Sequence, residues 1–290
     1  MKIVILGSSG QLGSEFVSYL KNNNKYAIYP FSHNELNIIN YPELAEKISH
    51  IKPDVVINCA AYTKVDKAED EPEECIRVNA IGARNAAFAA YKAGAKIVYY
   101  STDYIFDGKQ NNPYKEFDAP CPLSVYGKSK YYGEEYTKSV NPDYLILRVS
   151  WLYGIIGNNF IKTVIKLSRD KKELKMVDDQ YGAPTYTLDV VKQTVELLNY
   201  DKVGTYHSAN QGSASWYKYA LTIINALDFK DISIVPIKMN EYKSKAIRPK
   251  YSVLDNYLLN VEGINIMRDW QTALSDYINT YRKQLLTIAA

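Results

Sequence analysis

Tyr126 and Lys130 stand four residues apart in the run Ser124-Val125-Tyr126-Gly127-Lys128-Ser129-Lys130. On a helix that spacing puts both side chains on one face. An ammonium beside a phenol stabilises the phenolate, so the Tyr126 pKa is expected to fall from its reference of about 10 toward the working range of a general acid. An isolated Tyr-x-x-x-Lys is more often two surface residues of a polar helix. Two upstream features turn this pair toward chemistry: the glycine-rich run Gly7-Ser8-Ser9-Gly10-Gln11-Leu12-Gly13, and an apolar segment that ends in Ser101-Thr102. A hydroxyl, a phenol and an ammonium beside a nicotinamide are the parts needed to reduce a ketone. In that reading Thr102 orients the carbonyl and stabilises developing charge, Tyr126 supplies the proton, and Lys130 tunes Tyr126 and hydrogen-bonds the nicotinamide ribose.

The elements that must position these groups begin at the N-terminus. Lys2 to Leu6 is a short apolar run, followed by the glycine run and then a periodic segment to about Leu20. This reads as strand, turn, helix. Gly7 permits the tight turn, Gly10 lets backbone approach a pyrophosphate, and Gly13 lets the helix pack close to the strand. The helix N-terminus then offers free N–H groups to the phosphates. Tyr26 to Phe31 is a second strand. The acid that holds a ribose hydroxyl in NAD-selective folds is missing from its end, where Phe31-Ser32-His33-Asn34 delays the first carboxylate to Glu35. That favours NADPH, with NADH as the alternative.

Tyr41 to Ile51 predicts a helix. Pro53 to Asn58 predicts a buried strand ending in Cys59-Ala60-Ala61-Tyr62-Thr63, whose small residues leave room for a ligand. Pro72 to Gly94 carries one long helical period, and Ala95 to Ser101 a fourth strand. Asp103 to Ser124 is a long loop with Gly108, Pro113, Pro120 and Pro122, a length that is often functional. The Tyr126 helix runs to about Ser139, and Asp143 to Val149 is a fifth strand. Regular alternation of strand and helix means an α/β fold with a Rossmann-type, doubly wound parallel sheet. Beyond Ser150 the elements shorten. Helices are expected near 159–169, 188–198, 215–227 and 269–286, and strands near 174–177, 204–207 and 232–237. We therefore expect a dinucleotide-binding domain over 1–150, rejoined by about 186–210. A smaller mixed substrate-binding lobe should occupy most of 151–290.

The totals exclude other classes. A net charge of +3 with no dense Lys/Arg block gives no electrostatic footprint for nucleic acid. Cys59, Cys75 and Cys121 are odd in number and far apart, which suggests neither a disulfide framework nor a zinc site and fits a reducing cytoplasm. No apolar run reaches membrane-spanning length, and the first residues are too short an apolar stretch for a signal peptide.

At this point the chain resembles the extended short-chain dehydrogenases/reductases, and among them the enzymes that reduce a dTDP-linked 4-keto-6-deoxyhexose. The resemblance covers nearly the whole chain. It rests on GSSGQLG (7–13), NCAAYTKVDKAED (58–70), STDYIFDG (101–108), YGKSK (126–130), LRVSWLYG (147–154), VDDQYGAPT (177–185) and HSANQGSASWYKYA (207–220), with AIRP (246–249), Ser252 and Leu254-Asp255 following. It implies that Gly10, Gln11 and Leu12 touch the cofactor phosphates. Asn37 and Ile38 then lie near the adenosine, Asn37 standing where the family usually has Asp. Ala60, Ala61, Tyr62 and Thr63 line the cofactor. Thr102, Tyr126 and Lys130 match the catalytic trio, Asp103 lies beside the sugar, and Trp151 contacts the sugar nucleotide. Val65, His207 and Arg248 are further substrate-side candidates. Some members dimerise through a Mg2+ held by carboxylates. Glu15 matches one ligand but only Asp189 stands near the others, so no metal site is assigned, Mg2+ is left as an alternative, and the chain is read as a monomer or homodimer. Glu15 has a second reading as a solvated first-turn carboxylate.

Two rival readings stand beside this one. Related dehydratases place Asp-Glu after the threonine as an acid and base pair, whereas here the pair is Asp103-Tyr104, which disfavours elimination. Epimerases and dehydratases also recycle bound NAD+, whereas a reductase consumes its cofactor. The other rival is a non-catalytic NADP-binding subunit, similar to the regulatory subunit of methionine adenosyltransferase; the intact trio argues against it.

Overall fold

The side chains of the first strand alternate between two cores. Ile3 and Ile5 enter one, and Val4 and Leu6 the other, all four with no exposed surface. A strand buried on both faces must lie inside a sheet covered by helices on each side. The computed structural model describes residues 1–21 and 23–289 and shows that sheet. The chain runs β1 (Lys2–Leu6), α1 (Gln11–Leu20), β2 (Ala27–Phe31), α2 (Tyr41–Ile51) and β3 (Val55–Asn58). It continues as α3 (Val65–Ala68), α4 (Pro72–Ile76), α5 (Ala83–Lys92), β4 (Lys96–Thr102), α6 (Val125–Val140) and β5 (Tyr144–Val149). Next come β6 (Leu152–Tyr153), α7 (Phe160–Asp170), β7 (Glu173–Val177), β8 (Tyr181–Gly182), β9 (Thr185–Tyr186), α8 (Thr187–Asn199) and β10 (Gly204–His207). The last elements are β11 (Ala214–Ser215), α9 (Trp216–Leu227), β12 (Ser233–Ile237), α10 (Tyr257–Val261) and α11 (Trp270–Ala289).

Six strands form one parallel sheet in the order β10-β5-β4-β3-β1-β2. The winding reverses between β1 and β3, and in such sheets the ligand crevice opens at the carboxyl ends of those strands. The glycine turn leaves β1 and the Cys59–Thr63 segment leaves β3 at that end. One core packs α1 and α8 on the sheet, and a second packs α2 and α5 on the opposite face. The strand expected at 204–207 returns to the sheet beside β5, with Gly204 level with Leu145. A third core, of Tyr153, Tyr186, Tyr219, Trp270 and Tyr277 with aliphatic residues of α7, α9 and α11, forms the lobe.

Two departures from the sequence reading have physical causes. The helical period of Pro72–Gly94 forms one unbroken helical stretch to Lys92, but Arg77–Gly82 within it is π-helical, between α4 and α5. That wider turn places Asn79 where its side chain accepts from Tyr62 N–H (2.8 Å) and donates to the Tyr62 carbonyl (3.0 Å) and to Ser129 Oγ (2.9 Å). The region after Ser150 also holds two-residue strands, β6 pairing with β9 and β8 with β11. Such short pairings leave no period to read.

Candidate active site

The glycine run builds a turn that only glycine tolerates at two points. Gly7 has φ +72°, and a Cβ there would lie 2.7 Å from the Ala60 nitrogen. A Cβ on Gly13 would lie 2.3 Å from the Gly7 carbonyl oxygen, so α1 could not close on the turn. Gly10 is the N-cap of α1 and brings no side-chain cap. The first N–H groups of α1 therefore stay open to an anion. This cradle fits a dinucleotide pyrophosphate. Leu12 is buried, and the Gln11 side chain points back, donating to the Leu152 carbonyl (3.0 Å) and accepting from Asn159 (3.0 Å). Gln11 thus fastens the glycine turn to the lobe. Across the crevice, Ala60, Ala61 and Tyr62 are half-buried and Thr63 is exposed; the Tyr62 backbone is held by Asn79. Val65 opens α3 just beyond.

At the outer edge, Asn37 is half-buried and accepts from Ile39 N–H (3.0 Å) in a local turn, while Ile38 is buried against Gly82. The first acid after β2, Glu35, is folded back onto Ser32, accepting from its N–H (2.8 Å) and hydroxyl (2.7 Å).

The helix that carries Tyr126 and Lys130 is fixed at several points. Ser124 caps it, accepting from Gly127 N–H (3.1 Å), and Glu69 of the β3 side accepts from Val125 N–H (2.9 Å). A fully buried pair joins Glu134 of α6 to Arg148 of β5 through two bonds of 3.0 and 2.9 Å. A Cβ on Gly127 would sit 2.3 Å from the Tyr104 carbonyl, so the glycine inside the motif lets the helix start against the end of β4. Thr102 ends β4, and its hydroxyl accepts from Tyr104 N–H (3.2 Å) and donates to Asp103 (3.1 Å). Tyr104 meets Tyr126 edge-on with ring centres 6.0 Å apart. The Thr102 hydroxyl and the Tyr126 phenol therefore meet at the end of β4, and Lys130 lies one turn further along α6.

The electrostatics differ from the sequence expectation. The Tyr126 phenol is pushed up, not down. Burial is the main cause, the neighbouring Thr102 hydroxyl opposes it, and the Asp103 carboxylate adds to it. Lys130 is pushed down to about 7, again by burial. Its ammonium lies over the Tyr99 ring, 4.2 Å from the centre. Burial penalises the charged form of both groups, and it is the largest influence on each. A phenol held high is protonated at neutral pH, the state a proton donor needs. Asp103 is buried with its carboxylate accepting from Ser150 (3.0 Å), Ser252 (2.5 Å) and Thr102, and burial pushes it up to about 6.

Trp151 follows β5 with φ +42°, a strained value for a tryptophan. Its ring lies flat on Trp216, centres 3.5 Å apart and 8° from parallel, and its reverse contact is Gly182, where a Cβ would be 2.3 Å away. Among the described residues its buried indole N–H has no hydrogen-bond partner. Arg248 pairs with Asp66 through bonds of 2.6 and 3.0 Å.

Two candidates sit elsewhere than expected. His207 has no exposed surface: Nδ1 lies 2.9 Å from the Asp255 carbonyl, the ring meets Phe106 edge-on, and burial with the Arg148 charge pushes it down to about 3. That environment gives a substrate no access to it. Glu15 is buried, not solvated, accepting from Thr187 (2.9 Å), with its carboxyl pushed up by burial. Asp189 is committed to Arg268 (2.8 Å) and Asn210 (2.7 Å). As they stand, these carboxylates do not fit a bridging metal ion. Asn79, Glu69 and Ser252 were not candidates from sequence. Their roles depend on contacts 50, 56 and 149 residues away, which spacing does not reveal.

The family model described as RmlD substrate binding domain matches residues 1–283. The spore coat polysaccharide biosynthesis protein SpsK of Bacillus subtilis is 38% identical over 277 residues, covering 96% of this chain and 96% of its own. A dTDP-4-dehydrorhamnose reductase structure from Clostridium acetobutylicum superposes with a TM-score of 0.94 at 43% identity, over 97% of this chain and 100% of that one. The dTDP-4-dehydrorhamnose reductase of Bacillus anthracis, solved in complex with NADP, gives 0.94 at 41% identity, over 96% of this chain and 99% of that one.

Proposed function

Because this chain belongs to the RmlD substrate binding domain family, we propose that it is a dTDP-4-dehydrorhamnose reductase. It reduces the C4 ketone of dTDP-4-dehydro-L-rhamnose with NADPH, or with NADH, to give dTDP-L-rhamnose. The observation that carries this reading is the convergence of Thr102 and the Tyr126/Lys130 helix beside the glycine-turn crevice. The preference for NADPH is supported by the missing acid at the end of β2 and by the Bacillus anthracis structure with NADP. We read residues 1–150, with 186–210, as holding the cofactor, and most of 151–290 as holding the sugar nucleotide. No helix among the described residues is long and apolar enough to cross a membrane; we place the enzyme in the cytoplasm, as a monomer or homodimer.

In the mechanism, Gly7, Gly10, Gln11, Leu12 and Gly13 hold the dinucleotide phosphates, Asn37 and Ile38 the adenosine side, and Ala60 to Thr63 the remainder. When bound, the dihydronicotinamide supplies a hydride to C4 of the sugar. Tyr126 supplies the proton to the C4 oxygen. The Thr102 hydroxyl orients that oxygen, and Lys130, one turn along α6, stabilises the phenolate that Tyr126 becomes. Asp103, held by Ser150 and Ser252, borders the sugar. The strained Trp151, with its free N–H, closes the substrate side together with Val65 and Arg248. A cavity of about 460 Å3 lined by Phe160, Met176, Trp216 and Arg248 adjoins this face and has room for the nucleotide.

The direct test is the purified chain with dTDP-4-dehydro-L-rhamnose and each cofactor, followed at the nicotinamide absorbance with product identification. One cofactor oxidised per dTDP-L-rhamnose formed is expected; absorbance that stays flat while the sugar is isomerised or dehydrated would contradict the reading. A second expectation concerns Trp151. Trp151→Ala should raise KM for the sugar nucleotide at least about tenfold, as for loss of a buried aromatic anchor, and leave KM for NADPH near its starting value. Equal changes in both constants would remove Trp151 from the substrate face.

A further inference from the structure

The segment from Lys238 to Lys250 leaves the lobe, crosses toward the dinucleotide side and returns. Its outgoing end is tied by Met239 N–H to Asp179 (2.7 Å). Its returning end is tied by Gln180 to the Pro249 carbonyl (3.2 Å) and by Tyr181 N–H to the Lys250 carbonyl (2.8 Å). Between these ends it converges on one carboxylate, Asp66 of α3. Asp66 accepts from Ser244 Oγ (3.1 Å), Lys245 N–H (3.2 Å), Ala246 N–H (3.1 Å) and both arms of the Arg248 guanidinium. A neighbouring ion pair, Lys245 with Asp70 at 2.6 Å, is more than half exposed on both sides and contributes little. Charge-assisted bonds to two backbone amides, a hydroxyl and a bidentate guanidinium are a different matter, because they fix backbone and side chain together.

The location gives this anchor a consequence. Asp66 stands three residues after Thr63, on the segment that leaves β3 at the cofactor crevice. Arg248 also faces Tyr104, and each shifts the other's charge balance. Tyr104 in turn meets Tyr126. On its inner side, Ser244 to Arg248 walls the 460 Å3 cavity opposite Phe160 and Trp216. The strap spans the two halves of the molecule, and among the described residues its many-armed fastening on the dinucleotide side is Asp66.

We propose that Asp66 is a positioning residue: it fastens the Tyr242–Arg248 strap over the crevice and so sets Arg248 at the sugar-nucleotide side of the site. The consequence for substrate rests on the function proposed above; the fastening itself does not. Asp66→Ala should raise KM for dTDP-4-dehydro-L-rhamnose at least about tenfold, the scale of a misplaced binding group, with KM for NADPH and kcat changed far less. Asp66→Asn, which keeps the shape, should show the same split if Asp66→Ala folds poorly, and Asp66→Glu, which keeps the carboxylate, should recover most of the affinity. Limited trypsin digestion reads the fastening without any substrate. Cleavage after Lys243 and Lys245 should be at least about tenfold faster in Asp66→Ala and Asp66→Asn than in the parent, as local opening becomes easier. Unchanged cleavage in both variants, or a sugar KM equal to the parent's, would overturn the proposal. A parent enzyme that does not turn over the sugar would instead overturn the function, while faster cleavage in the variants would still uphold Asp66 as the fastening.

Discussion

Tyr126→Phe should lower kcat by about 10²-fold or more, the size of a lost general acid, while KM for NADPH stays close to the parent value. The ring remains and keeps its edge-on contact with Tyr104, so packing is preserved. What disappears is one hydroxyl beside Thr102. The phenol is held high by burial, so in the parent enzyme it stays protonated through neutral pH. The rate should therefore not fall with phenol ionisation there. Steady-state kinetics with both substrates varied, together with a melting curve to show that the variant is folded, would check this. A variant with parental turnover would place the proton donor elsewhere.

Lys130→Met should go further in activity and in the opposite direction in stability. Turnover and NADPH affinity should both fall, because the proposed mechanism gives this ammonium the phenolate to stabilise and the ribose to hold. The fold should become more stable. Lys130 has its pKa lowered from 10.5 to about 7 by burial. Between those two values the unfolded chain binds the proton that the folded chain gives up, so the parent gains stability as pH rises through that window. Below about pH 7 the folded protein bears the full cost of the buried charge. Methionine removes that cost, so the variant's advantage should approach roughly 5 kcal/mol near pH 6 and should vanish above pH 10.5. Chemical denaturation at several pH values measures it. An advantage that does not shrink as pH rises would mean that Lys130 is not charged at a cost in the fold. Stability given up to hold a charge at a reaction centre is a familiar exchange in enzymes.

Much of this was legible in the residues because it depends on local pattern. The strand–glycine turn–helix at the N-terminus, the alternation that makes a parallel sheet, and the helical spacing of Tyr126 and Lys130 are all short-range signals, and β1, α2 and β10 occupy the residues the sequence indicates. The direction of the Tyr126 pKa was not legible. Spacing shows that two groups are neighbours, but burial decides which charge survives, and burial comes from the whole fold. His207 lies in a block shared with the family, which implies a place facing the substrate; its ring instead lies between Phe106 and Arg148, contacts made across 101 and 59 residues. The same holds for Glu15, whose place at the start of a helix suggests solvent but whose carboxylate accepts from Thr187, 172 residues away. Asp66 sits in a motif recognised for its neighbours Ala61 to Thr63, and its own partners are 178 to 182 residues away. Contacts of that range carry no periodic signature.

In the proposed mechanism three groups meet at one oxygen. A crystal structure of the chain with NADP+ and dTDP-L-rhamnose measures this directly. The Tyr126 hydroxyl should lie about 3 Å from the sugar O4, with the Thr102 hydroxyl also in reach of that oxygen and C4 facing the nicotinamide. A sugar bound with O4 beyond reach of Tyr126, or turned from the nicotinamide toward solvent, would contradict the mechanism.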